Sequence, residues 1–338
     1  MIRFCHLDLT CHVKAVLTLI RGRFAPTPSG RLHIGNARSA LLAWLHIRAA
    51  EGQFILRIED IDKSRSRAAY AEQMTNELRW LGLDWDEGPD IGGPYGPYVQ
   101  SLREERFQHA LETLGLNGKL YPCFCSRAEL AAIASAPHGL ESEGPAYPGT
   151  CRHHTEEDRA SRAAAKQPSL RFAMPEREIA FDDMAMGPQR FAPGAGGDFV
   201  VKRADGVIGY QLAVVVDDAA MGVTHVVRGC DLLDSTPRQM ALYESFGWPI
   251  PRFGHIPLLV GTDGRRLAKR DDAVMLGEIR AAGTKPERVV GWLAYWSGLT
   301  DRPEPLAAAE LIPLFDWASV SRDTVVVTPE ALRELACV

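Results

Sequence analysis

The chain has 338 residues, 46% of them hydrophobic and 24% charged, and a formal net charge of −5. That is long enough for two or three domains with a sizeable core, and too acidic for a globally basic nucleic-acid binder, so any nucleic-acid contact must use local cationic patches. No apolar run approaches the roughly 18 residues that cross a bilayer, and the seven cysteines follow no regular disulfide pattern, which together fit a reducing cytoplasm.

The first twenty residues have an apolar part of only eight and no small-residue cleavage site. Residues 1–12 therefore read as an unstructured or wrongly assigned start, not as a signal peptide. Residues 13–20 read as a buried strand leading into RGRFAPTPSGRLHIGN, residues 21–36. Pro26, Pro28 and Gly30 break regular structure there. Beyond Gly35, Ala37, Ala40, Leu41, Trp44 and Leu45 recur at helical spacing. The N-terminus of that helix offers N–H groups to a phosphate. Gly35 would let a nucleotide approach the backbone, and His33 adds a side-chain donor.

Gly52 is a stop signal for the helix. FILRIEDID follows as a second parallel strand ending at Glu59 and Asp60. Ligands of open α/β sheets bind beyond the carboxyl ends of strands, so Glu59 falls beside the 21–36 loop. Helices over 66–81 and 101–114 close a first βαβα unit, and the alternation predicts a doubly wound parallel sheet. Composition changes at Lys119. Residues 120–200 carry short strands, Pro/Gly loops and Cys123, Cys125 and Cys151, which reads as an inserted subdomain. Ala204, Asp205 and Gly206 mark a hairpin turn. VIGYQLAVVVDD is apolar enough for a strand over 208–216 buried on both faces, and places Tyr210 on that strand. A helix at 236–246, an apolar HIPLLV strand, the basic loop GTDGRRLAKRDDA and two or three C-terminal helices complete the chain. The expected division is 13–119 and 201–272 for the two halves of the sheet domain, 120–200 for the insert and 273–338 for a helical stub.

Three constellations carry chemistry. The loop over 261–272 holds Arg265, Arg266, Lys269 and Arg270, which suit triphosphate oxygens and charge developing at phosphorus. Cys123, Cys125 and Cys151 offer three thiolates suited to Zn2+ in a closed structural site, with His138, His153 and His154 near enough in sequence to supply a fourth ligand. Tyr210 and Arg228 are candidates for holding a carboxylate or an amine.

Together these segments resemble the class I aminoacyl-tRNA synthetases. RFAPTPSGRLHIGN is similar to their His-Ile-Gly-His signature, here His33, Ile34, Gly35 and Asn36. RRLAKR is similar to their Lys-Met-Ser-Lys-Ser loop, here Arg266, Leu267, Ala268, Lys269 and Arg270. RIEDID, YQLAVVVDD and VVRGCDLLDSTPRQ resemble the glutamyl branch, and the resemblance covers about residues 21–272. It implies a Rossmann-type sheet domain with an inserted zinc-binding, acceptor-like subdomain. The 68 residues after Arg270 are too few for a stub and an ordinary anticodon-binding domain. With Val214 and the Cys123, Cys125, Tyr147, Cys151 pattern, in which tyrosine is the fourth ligand, this resembles the truncated group that glutamylates queuosine.

That resemblance implies tRNA-independent, ATP-dependent activation of L-glutamate and its transfer to queuosine at the wobble position of tRNA(Asp). The alternative is a truncated glutamyl-tRNA synthetase that charges a tRNA 3′ end. The implied partners are ATP with Mg2+, L-glutamate and queuosine-bearing tRNA(Asp), with one structural Zn2+, a monomeric chain and no membrane. Carried over by position, Arg23, Phe24, Ala25, Pro26, Thr27, Glu59, Tyr210 and Arg228 would hold glutamate. Glu59 would take its ammonium, and Tyr210 and Arg228 its carboxylate end. His33, Gly35, Asn36 and Lys269 would face ATP, with His33 and Lys269 catalytic and Lys269 stabilising the pentavalent phosphorus. Thr27 stands where the family usually has serine, Asn36 where it has histidine and Ala268 where it has serine. The last removes a phosphate contact and is expected to slow activation. The long 125–147 gap reads as a loop insertion over 135–146.

Overall fold

In the computed structural model of the chain the described residues are 19–126, 129–130, 139–140, 144–145, 147–265, 267 and 275–336. The strands β1 (Arg21–Phe24), β2 (Gln53–Leu56), β10 (His225–Gly229) and β11 (Arg252–Ile256) form a parallel sheet in the order β11-β10-β1-β2. Alternation assigns its two faces, because successive side chains of a strand point to opposite sides. Phe54 and Leu56 join one core with helix α1 (Ile34–Ala49), and Ile55 joins the other. That second core holds side chains of α3 (Glu104–Leu116), α5 (Tyr210–Ala220) and α6 (Thr236–Phe246). The sheet is doubly wound, as the strand–helix alternation predicts.

The insert has its own antiparallel sheet, β3 (Leu120–Cys123), β6 (Ser169–Phe172) and β9 (Phe199–Lys202), in the order β3-β6-β9. A small pair, β4 (Gly139–Leu140) with β5 (Gly144–Pro145), and the hairpin of β7 (Ile179–Asp183) with β8 (Gly187–Phe191) belong to the same stretch. Helix α4 (Glu156–Ala165) is capped by Thr155. The expected domain break at 200 falls inside β9. On the C-terminal side, α7 (Leu276–Ala281), α8 (Pro286–Trp296) and α9 (Pro329–Ala336) contribute Leu276, Trp292, Leu293 and Leu335 to the core beneath α1. The short strands β12 (Leu259–Val260) and β13 (Val325–Val326) pair in parallel. No helix of the described residues is long and apolar enough to cross a membrane.

The strand expected over 13–20 falls mostly on positions 13–18, which lie outside the described residues; among the described residues the first strand begins at Arg21. Three other expectations are corrected. Residues 210–220 form α5, not a strand, and Gln211, Leu212, Ala213, Val214, Val215, Val216, Asp217 and Asp218 are all buried in it. An apolar run buried on every side gives no period to separate helix from strand, and its valines, which favour strands, are overruled by packing. Tyr210 therefore opens a helix. Gly209 precedes it because a Cβ there would meet Val200 O at 2.3 Å. Finally, β2 stops at Leu56 rather than Asp60, and HIPLLV is interrupted by Pro257, which has no N–H for a ladder.

Candidate active site

Beyond the carboxyl ends of β1 and β10, and against α1 and α5, lies a cleft of about 740 Å3. Arg23, Phe24, Ala25, Pro26 and Thr27 line it, and Glu59, Tyr210 and Arg228 close the same region. His33, Gly35 and Asn36 line it as well, with Leu258, Leu259 and Leu267. The described candidates for both substrates thus share one cavity. Lys269, Arg266 and Arg270 lie outside the described residues. Leu267, from the same basic loop, is buried at the cleft wall.

The walls at the glutamate candidates are built from buried charge. Arg57 is fully buried; its Nη2 donates to Glu59 at 2.9 Å and its Nη1 reaches Asp218 at 2.7 Å. Arg23 Nε is 3.2 Å from both oxygens of Asp218. Asp217 accepts from Arg103 at 2.5 Å and from Gln100 at 2.9 Å. Burial would raise the Asp218 carboxyl, but Arg23 and Arg57 outweigh it and hold it below the usual range. Burial pushes the Glu59 carboxyl up, against the pull of Arg57 and Arg23. Arg228 differs. Its Nε donates to His255 Nε2 (3.0 Å), Nη1 to Gln239 Oε1 (2.8 Å) and Nη2 to Thr236 Oγ1 (2.9 Å), all neutral partners. Burial lowers its pKa, since nothing hydrogen-bonded to it balances the charge. A buried guanidinium with neutral partners favours an anion in the cleft.

His33 is the N-cap of α1. Its Nδ1 accepts from the N–H groups of Gly35 (3.1 Å) and Asn36 (3.3 Å). Two of the N–H groups expected to face phosphate are therefore taken, and a neutral imidazole accepting at Nδ1 carries its hydrogen on Nε2. Gly35 is needed by the same ring: a Cβ would lie 3.0 Å from His33 Cε1 and Nδ1. Arg38, one turn further along α1, also lines the cleft and is almost fully buried. Its Nε donates to Ser297 Oγ at 2.9 Å and its Nη1 to the Pro257 carbonyl, while Nη2 has no hydrogen-bond partner among the described residues.

Away from the cleft, the sulfurs of Cys123, Cys125 and Cys151 lie within 4.8 Å of one another. The Cys125 and Cys151 sulfurs are 3.7 Å apart, and the Tyr147 oxygen is 3.6 Å from Cys123 and 3.3 Å from Cys125. Thiolates around one tetrahedral Zn2+, each about 2.3 Å from it, stand about 3.8 Å apart. The group fits such an ion. Neither His153 nor His154 belongs to this group, and His138 lies outside the described residues. Cys151 N–H donates to the Tyr147 oxygen at 3.0 Å, and Arg171 stacks 3.8 Å over its ring.

Reading the sequence by its exposed-loop motifs missed Arg57, Arg38, Asp217, Asp218, His255, Gln239 and Thr236. Arg57 stood in RIEDID and the two aspartates in YQLAVVVDD, where charge inside an apolar run was the available signal.

The profile of the class I tRNA synthetases (E and Q), catalytic domain, matches residues 19–334. The chain belongs to that family and is a ligase. It is 68% identical to the glutamyl-Q tRNA(Asp) synthetase of Symbiobacterium thermophilum, over 94% of this chain and 99% of that one. The protein of the same name from Nitratidesulfovibrio vulgaris is 47% identical over 94% and 98%. These relatives bear out the resemblance to the queuosine-modifying group. A glutamate–tRNA ligase of Bacillus cytotoxicus is 40% identical, but the alignment spans 66% of its length. Among solved structures, a glutamate tRNA ligase from Elizabethkingia meningosepticum, in complex with its amino acid, superposes with a TM-score of 0.81 at 29% identity over 94% of this chain and 69% of that one.

Proposed function

We propose that the enzyme activates L-glutamate with ATP, without tRNA, and transfers it to queuosine at the wobble position of tRNA(Asp). The observation that carries the reading is the buried Arg228 with only neutral partners, in one cleft with Glu59 and the His33 cap. Glu59 would hold the substrate ammonium, Arg228 and Tyr210 the carboxylate end, and Arg23, Phe24, Ala25, Pro26 and Thr27 the near wall. His33, Gly35 and Asn36 would face ATP, and Lys269 would stabilise the pentavalent phosphorus. The α-carboxylate of glutamate attacks that phosphorus, pyrophosphate leaves, and a queuosine hydroxyl then attacks the mixed anhydride and displaces AMP. The substrate supplies its own nucleophile, so the side chains act by positioning and charge stabilisation. Mg2+ would arrive on the phosphates and neutralise their charge.

The test uses labelled glutamate, ATP and tRNA(Asp) with or without queuosine, followed by nuclease cleavage to locate the label. Label is expected only with queuosine and only in the anticodon fragment. Label in the 3′ fragment, or on queuosine-free tRNA, would show a truncated synthetase charging the 3′ end instead.

For the insert we propose one structural Zn2+ on Cys123, Cys125, Cys151 and Tyr147, which would tie β3 to the 147–151 turn. Purified protein is expected to carry one zinc per chain, and Cys123→Ser to lose it together with several degrees of melting temperature, as closed zinc sites add folding energy. Substoichiometric zinc and a melting temperature indifferent to chelation would leave the cysteines as plain thiols.

A further inference from the structure

His255 does not line the cleft, yet it holds the arginine that does. It stands on β11, fully buried, between Arg228 and an acid from the insert: its Nδ1 is 2.6 Å from Asp183 Oδ2. Asp183 ends β7 and is buried too. Its other oxygen, Oδ1, accepts the N–H groups of Ala185 (3.0 Å), Met186 (2.9 Å) and His255 (3.0 Å).

The hydrogen positions follow from groups that have only one role. Arginine Nε can only donate, so His255 Nε2 accepts and bears no hydrogen. A second donor faces the same nitrogen, since the Thr236 hydroxyl is 3.2 Å away. A neutral imidazole then carries its hydrogen on Nδ1, where an acceptor-only carboxylate waits. Burial pulls the imidazole down to about 4, so it is neutral through ordinary pH. Nη1 and Nη2 of Arg228 are taken by Gln239 and Thr236. Among the described residues three of its five N–H groups are thus committed, which leaves one on each terminal nitrogen to offer a carboxylate.

We infer that Asp183 and His255 are positioning residues: Asp183 fixes the His255 tautomer, and His255 in turn fixes the plane in which Arg228 presents its fork to the substrate carboxylate. The inference rests on Arg228 being a glutamate ligand, as proposed above. It makes the inserted hairpin part of the amino-acid site, through a contact that spans 72 positions of sequence.

The full-length chain is assayed by glutamate-dependent ATP–pyrophosphate exchange. In Asp183→Asn the amide can donate to Nδ1, which allows the tautomer that sets Nε2–H against the Arg228 Nε–H. Loss of a charge-assisted hydrogen bond of this kind predicts a glutamate KM raised about 10-fold or more, with the ATP KM and kcat within about twofold. His255→Leu is expected to match it. His255→Gln, whose amide has a donor and an acceptor as the imidazole has, is expected to restore the KM to within about threefold. An unchanged glutamate KM in Asp183→Asn, or equal rises for glutamate and ATP, overturns the inference. Should variants fail to fold, the 15N shifts of His255 in the unaltered protein decide: hydrogen on Nδ1 is expected, and hydrogen on Nε2 overturns it. Absence of any exchange in the unaltered protein would defeat the proposed function and leave the tautomer result standing, so the two failures are distinct.

Discussion

Replacing Arg57 by methionine is expected to lower the unfolding free energy by about 3–5 kcal/mol, the cost of breaking a buried ion pair by removing one partner. The side chain is completely buried between Glu59 and Asp218, with Asp217 3.9 Å from its Nε. Three carboxylates would lose their common counter-charge, and Arg23 and Arg103 would remain for Asp218 and Asp217 alone. Denaturant unfolding at neutral pH measures the loss. Its pH dependence has a definite sign. Asp218 is held below its usual range, so it contributes stability that is present above the ordinary aspartate value of about 3.9 and fades as pH falls through its own lower one. The variant lacks most of that contribution, so the two proteins should converge on acidification. A gap that stays constant or widens below pH 4 would show that Arg57 stabilises by packing and not by charge.

Glu59→Gln is the second large effect. The amide oxygen can still accept from Arg57 Nη2, so the wall is kept while the charge offered to the substrate ammonium is lost. Truncating one side of a buried, hydrogen-bonded charge pair costs about 2–5 kcal/mol, so kcat/KM for glutamate is expected to fall about 30-fold to several thousand-fold, with the ATP KM little changed. The Glu59 carboxyl is pushed up by burial. It therefore loses its charge earlier on acidification than an exposed glutamate, and the glutamate KM should climb as pH falls. The climb should vanish in Glu59→Gln. An unaltered KM in the variant would remove Glu59 from the substrate site.

The sequence made the mouth of the cleft legible and left its back wall hidden. Pro26, His33 and Glu59 sit on loops and Gly35 in the first turn of α1, where Gly/Pro breaks and the helix start are local signals, so their convergence could be argued from strand ends alone. Tyr210 reads as part of a strand because a run such as LAVVV looks alike in a buried strand and a buried helix. Asp217 and Asp218 follow that run with no local sign of their partners, whereas α5 carries them inward onto Arg103 and Arg57. His255 lay inside HIPLLV and passed for part of an apolar run. Its role depends on Asp183, which nothing local connects to it. His33 is legible as a residue at the helix start, while its capping of the Gly35 and Asn36 N–H groups is not.

Arg38 bears on how the signature helix is held. One guanidinium clasps three remote segments: the signature helix that bears it, the Pro257 carbonyl between β11 and β12, and Ser297 just past α8. Ser297 also returns its hydroxyl to the Leu293 carbonyl at 2.7 Å, so the end of α8 fastens the clasp from behind. A fragment cut anywhere before residue 297, however complete its signatures, would leave the buried Arg38 Nε without its Ser297 partner. The signature helix is therefore anchored in part by a hydroxyl far along the chain, where no motif advertises a function.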